Sequence, residues 1–291
     1  MRHLATHAPV GASVRPSMPE PSFRLIEPER AESPVVVEVP HAGWLVPPSV
    51  LASVVAPASS IGRDADLYVD DLFADAPLEG ATLLAARTSR YVVDLNRAED
   101  DLDAEAADGG APSGRAPRGV IWRLTGDGAR VLSRPLTREQ LRARLDAYHR
   151  PYHEALRGAL ARKVERFGVA VLLAAHSMPS QGRTPSGEAG APRADVVPGT
   201  RGRTTADARF IDALDAHARA NGWTVRHDDP YRGGYTTQHY GRPHERVHAL
   251  QIELARRLYM DEAALVPHTR FADVRAWCRA LVAKLAQTAL R

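Results

Sequence analysis

The chain has 291 residues, 44% hydrophobic and 25% charged, the balance of a water-soluble globular protein with enough apolar material for a substantial core. Its 38 basic and 35 acidic residues are interspersed and leave a formal charge of +3, so no basic stripe marks a nucleic-acid surface. No window approaches the roughly 20 apolar residues of a membrane span. The single cysteine, Cys278, excludes an intrachain disulfide and sits among apolar residues at helical spacing, which suits a buried, inert thiol in a cytoplasmic protein.

Residues 1–22 carry Pro9, Pro16, Pro19 and Pro21 without an apolar period and read as a flexible tail, leaving residues 23–291 as a single domain. Val35, Val36, Val37 and Val39 form a β-branched run that stops at Pro40, with His41 in the turn that follows. Ala81 to Ala86 and Tyr91 to Leu95 read as two further strands. From Thr137 to Phe167 a capping box (Thr137 with Gln140) opens a helix carrying Leu141, Leu145, Tyr148, Tyr152, Leu156 and Leu160, which Pro151 should kink or split. The apolar run Gly168 to Ala175 ends at His176, a helix spans about 205–220, Val247 to Leu254 is a strand, and Phe271 to Leu290 is a last helix. Alternating strands and helices of these lengths imply an α/β fold with a mixed or parallel sheet covered on both faces. Two stretches, 98–119 and 178–203, are rich in glycine, alanine and proline and read as long functional loops.

Two imidazoles delivered at the C-terminal ends of core strands, with Asp64 and Asp66 between them in sequence, suit a metal: two histidines and a carboxylate leave an open position on zinc for water. Asp66 could instead cap the following helix. Asp94, Leu95, Asn96 and Arg97, with Arg90 just upstream, combine a carboxylate, an amide and guanidinium groups, which suits an acidic substrate or a polarised carbonyl, or an internal Asp94 to Arg97 ion pair. Residues 231–241 are a donor-rich loop containing Arg232 and Tyr235. Glu253 interrupts an apolar strand, where a carboxylate is costly unless it has partners or a task such as general base.

Seven ordered motifs, VPHAG (39–43), RDADLYVDDLF (63–73), SRYVVDLNR (89–97), GVIWR with PLT and PYH, AAHS (174–177), YRGGYTTQHYGRP (231–243) and VHALQIELARRLYM (247–260), resemble the N-formylglutamate amidohydrolase family. The resemblance implies a three-layer α/β/α, phosphorylase/hydrolase-like fold related to zinc carboxypeptidases, and one zinc ion per chain. It also implies release of glutamate and formate from N-formyl-L-glutamate, or hydrolysis of a close acidic N-acyl amino acid, on a histidine-degradation route. By position, His41, His176 and Asp66, with Asp64 as the alternative carboxylate, resemble the zinc ligands; Glu253 resembles the general base and Arg90 the group that polarises the carbonyl. Asn96, Arg97, Arg232 and Tyr235 resemble substrate binders. The family commonly places Asp-Cys before the second histidine, where this chain has Ala174 and Ala175. A different amide substrate, or a metal-free binding protein, are the alternative readings.

Overall fold

Valine- and leucine-rich runs bounded by proline and glycine become the strands of one sheet. The computed structural model describes residues 21–28, 31–110, 117–183 and 189–291, so the expected tail falls almost wholly outside the described residues, as do parts of both long loops. The strands are β1 (Phe23–Ile26), β2 (Val35–Val39), β3 (Thr82–Ala86), β4 (Ala170–Met178), β5 (Gln181–Arg183), β6 (Ala189–Pro192), β7 (Val196–Gly199) and β8 (Val247–Ala255). The α-helices are α1 (Pro48–Leu51), α2 (Ala58–Asp64), α3 (Val69–Leu72), α4 (Arg138–Arg144), α5 (Arg150–Phe167), α6 (Ala208–Ala220), α7 (Tyr235–Tyr240) and α8 (Phe271–Ala289).

Six strands pair in the order β1-β3-β2-β4-β8-β7. The inner four are parallel, and β1 and β7 close the edges antiparallel. Pro198 lies on edge strand β7, where a missing N–H interrupts no second ladder. Strand alternation separates two cores. Val35, Val37, Val39, Val171, Leu173, Ala175, Leu250 and Ile252 pack against α3, α6 and α8, while Val36, Ala170, Leu172 and Ala249 pack against α5 and the segment 91–136. The sheet is therefore the middle of three layers.

Three expectations need correction. Tyr91 to Leu95 is fully buried but turned rather than extended: Val92 N–H bonds to Ser89 O, Asp94 N–H to Val120 O, and buried Arg144 donates to the carbonyls of Tyr91 and Val92. With those groups satisfied, the apolar run has no need of a ladder. The interruption of the long helix falls before Pro151, as a π-turn over Leu145–His149 in which Arg150 N–H reaches Leu145 O. Finally, 178–203 is not all loop, since β5, β6 and β7 form within it.

Leu173 is fully buried at the centre of the sheet. Leu173→Ala should cost about 2–5 kcal/mol in urea denaturation; a loss below about 1 kcal/mol would show that this core is not close-packed.

Candidate functional site

On the second face the residues become polar as the parallel strands run to their C-terminal ends. Val36 is followed by Glu38, Ala170 and Leu172 by Ala174 and His176, and Ala249 by Gln251 and Glu253. The register sets Glu38 beside Ala174, Ala174 beside Gln251, and His176 beside Glu253. His41 follows β2 in the turn Pro40 to Gly43, where a Cβ on Gly43 would lie 2.4 Å from the Arg87 carbonyl carbon, so only glycine fits.

His41, Asp66 and His176 converge. His41 Nδ1 lies 3.2 Å from His176 Nδ1, and Asp66 Oδ2 lies 3.0 Å from His176 Nδ1 and 3.6 Å from His41 Nδ1. All three residues are buried. Tetrahedral bonds of about 2.0–2.1 Å set ligand atoms about 3.3 Å apart, so the donor set fits a zinc ion in both chemistry and spacing. Burial opposes charge on Asp66, but the two neighbouring imidazoles, His176 first and then His41, outweigh it and hold the carboxyl far below the usual range. Asp66 is not the cap of α3, which begins after Tyr68. Asp64 lies apart from the cluster, its carboxylate taken by the Tyr91 hydroxyl and the Gly126 N–H.

Asp94, which has no solvent exposure, organises the other side of His41. Its Oδ1 lies 2.8 Å from His41 Nε2 and accepts from Asn96 N–H at 2.9 Å; its Oδ2 accepts from Trp122 Nε1 at 2.8 Å and from Arg90 at 3.0 and 3.3 Å. Burial raises its pKa, but Arg90 first, then His41 and Arg97, hold it well below the usual carboxylate range. An ionised carboxylate only accepts, which puts the His41 proton on Nε2 and turns the Nδ1 lone pair into the cluster. Arg90 is clamped between this carboxylate and the Trp122 ring, 4.5 Å from its centroid. Arg256 donates to the carbonyls of Arg63 and Ala65 at 2.7 and 2.6 Å and approaches Asp66 Oδ1 at 3.6 Å, fixing the segment that carries the carboxylate.

The cluster opens into a cavity of about 700 Å³ lined by His41, Asp66, Arg90, Asn96, Arg97, His176, Arg232 and Glu253. Arg63, Arg118, Arg193, Arg201 and Arg256 also line it, so eight arginines face three carboxylates, Asp64, Asp66 and Glu253. Such a surplus of cation suits an anionic ligand. Glu253 is buried beside His176 and accepts from Gln251 Nε2 at 2.9 Å; burial pushes its pKa up to about 7 against the opposing pull of His176.

One expected binder lies outside this cavity, and another lines it with its amide engaged by protein groups. Tyr235 does not line this cavity: its ring stacks on His239 at 4.9 Å and meets His153 edge-on in a separate hollow, and Tyr231 is the loop tyrosine that lines the site. Asn96 spends its amide oxygen on Thr236 N–H at 3.0 Å and sets its nitrogen 3.3 Å from His176 Nε2, so it holds protein groups together. A Cβ on Gly234 would lie 2.2 Å from that amide. Reasoning from sequence missed Trp122, Tyr231, Arg193, Arg201 and Arg256; of these, only Arg256 follows directly on a recognisable site strand. Ala174 and Ala175 are fully buried, and the carboxylate against the His41 ring is that of Asp94.

A family model described as N-formylglutamate amidohydrolase matches residues 33–260. The N-formylglutamate deformylase of Pseudomonas aeruginosa is 34% identical over 276 residues, covering 90% of this chain and 94% of that protein. The deformylase of Pseudomonas putida is 33% identical over 238 residues, covering 79% and 82%. The crystal structure of N-formylglutamate amidohydrolase from Ralstonia eutropha superposes with a TM-score of 0.84 at 33% identity, covering 91% of this chain and 97% of that one.

The cluster predicts which substitutions abolish metal binding. His41→Ala, His176→Ala and Asp66→Asn should each strip zinc in equilibrium dialysis, whereas Asp64→Asn should keep about one zinc per chain. Zinc retained by Asp66→Asn and lost by Asp64→Asn would reverse the carboxylate assignment.

Proposed function

Because the chain belongs to the N-formylglutamate amidohydrolase family, we propose that it hydrolyses the amide bond of N-formyl-L-glutamate to formate and glutamate, with one zinc ion held by His41, Asp66 and His176. The observation that carries this reading is the convergence of three buried ligand atoms beside Glu253 in an arginine-lined cavity. When bound, the zinc ion supplies Lewis acidity and brings the pKa of a coordinated water to about 7. Glu253 accepts the proton of the attacking water and returns it to the leaving amine. Arg90, held by Asp94 and Trp122, is preorganised to donate to the oxygen that becomes negative. Arg97 and Arg232 offer guanidinium groups to the substrate carboxylates, with the surrounding arginines supporting them. The buried free thiol of Cys278 suits a reducing compartment, and on that ground we place the reaction in the cytoplasm.

Glu253→Gln keeps shape but cannot take the proton. It should lower kcat by about 10²- to 10⁴-fold with zinc content and Tm retained; near-wild-type kcat in the zinc-loaded variant would assign the base elsewhere. The pH profile follows from the same group. Glu253 works ionised, so kcat/KM falls as pH drops through its pKa, and a neighbouring dication favours the carboxylate, placing that limb below the value of about 7 that burial sets against the pull of His176 and the nearby arginines. An acid limb lying above 7 would contradict this.

The arginine lining also makes substrate charge decisive. N-formylglutamate should be hydrolysed with a far higher kcat/KM than its diester, because a site built for charged partners leaves buried groups unpaired when they are absent. Equal kcat/KM values would remove the arginines from the account.

A further inference from the structure

Arg201 lines the cavity and holds a backbone conformation that its side chain resists, with a φ of 52°. Asp228, which does not line the cavity, has a φ of 58°. The left-handed region is easy for glycine, tolerable for aspartate and costly for arginine, so a turn needed only to reverse the chain would be more stable with glycine at position 201. Such strain persists where surrounding contacts over-determine it. Here those contacts converge on one carboxylate. Asp228 accepts three consecutive backbone N–H groups: Thr200 at 2.7 Å and Arg201 at 3.0 Å on Oδ1, and Gly202 at 2.6 Å on Oδ2. Successive N–H groups of this kind form a concave seat for an anion, and Asp228 fills it. The Arg201 N–H also lies 2.9 Å from Arg232 O, and Asp228 N–H is held by Pro198 O at 2.9 Å, which ties the turn to β7 and to the 231–241 segment.

The held backbone decides where the guanidinium goes. Arg201 Nη1 donates to Gly233 O at 3.1 Å, and among the described residues the group makes no ion pair. It therefore faces the cavity with its charge unmatched, unlike Arg90, which is committed to Asp94. The turn leaves β7, two strands from the β4 that carries His176, a separation of about 9–10 Å at ordinary strand spacing. An N-formylglutamate with its amide at the metal centre keeps its α-carboxylate close to that centre and carries its side-chain carboxylate several bonds farther out. A guanidinium on the far wall suits the second of these.

We propose that Asp228 is a positioning residue and Arg201 a specificity-determining residue of this site: Asp228 holds the 200–202 turn so that Arg201 receives the side-chain carboxylate of the substrate. This rests on the reading of the cavity as an N-formylglutamate site. The test is kcat and KM of zinc-loaded full-length protein for N-formylglutamate, for its α-amide, and for N-formylglutamine, which lacks the side-chain carboxylate. Arg201→Met should raise KM about 10- to 100-fold for the first two with kcat near that of the wild type, and should change KM for N-formylglutamine little. Asp228→Asn sets an amide NH2 against a backbone N–H of the turn; it should give the same pattern, and adding it to Arg201→Met should raise KM no further. Wild-type KM values in Arg201→Met, or an equal rise for all three substrates, would overturn the proposal. So would Asp228→Asn that lowers Tm and leaves every KM unchanged. Should Asp228→Asn fail to fold, Asp228→Gly removes the carboxylate while keeping the left-handed backbone accessible and carries the same expectation; failure of both to fold would make Asp228 a structural residue and overturn its part. Wild-type protein that hydrolyses none of the three substrates would defeat the functional reading, and this proposal with it, before any variant is made.

Discussion

Asp94 carries a full negative charge in a place that water does not reach, and five N–H groups from four residues converge on it. An unpaired charge at this depth would cost several kcal/mol, so the positions of His41, Arg90, Trp122 and the Asn96 backbone are bound to one another through it. This dependence gives the site its rigidity. His41 is left with one tautomer and one ring orientation, and Arg90 with one place to put its guanidinium. Neither has to be ordered when a ligand arrives, which is the condition for electrostatic stabilisation of a transition state.

The sheet supplies the rest by simple alternation. Every second residue of β2, β4 and β8 faces the layer containing α5, and these residues are apolar while that layer covers them. Beyond it the same rows continue as Glu38, Ala174, His176, Gln251 and Glu253, in register across three strands. The C-terminal ends of parallel strands thereby become a polar floor without any break in backbone hydrogen bonding. Loops carrying arginine enclose the floor: Gly234 allows the 231–241 segment to approach Asn96, and its N–H is held by Gln251 at 2.8 Å. Burial raises Glu253 while two neighbouring imidazoles depress Asp66, so two nearby carboxyls acquire opposite characters from their surroundings.

The strands that deliver His41 and His176, the α/β class and the final helix are legible in the sequence because valine runs, punctuating proline and helical spacing act locally. The turned state of Tyr91 to Leu95 is not legible, because the groups that satisfy its backbone, Arg144 and Val120, come from distant segments. Asp64 and Asp66 are indistinguishable by type and spacing; only the fold shows that one carboxylate meets Tyr91 and Gly126 and the other meets the histidines. Tyr231 and Tyr235 differ in the same way, since the two sides of one loop face different hollows. The buried acid of Glu38 is hidden within a run of valines, and its neighbours lie on α5 and α7.

The three converging side chains have the donors and spacing of a zinc site. Diffraction data collected on either side of the zinc absorption edge, from crystals grown with zinc present, test it most directly. A zinc ion held by these groups should give a single strong anomalous peak per chain within bonding distance, about 2.0–2.2 Å, of His41 Nδ1, His176 Nδ1 and Asp66 Oδ2. A site without a peak, with the two imidazoles in direct contact, or a peak bound by Asp64 instead, would contradict it.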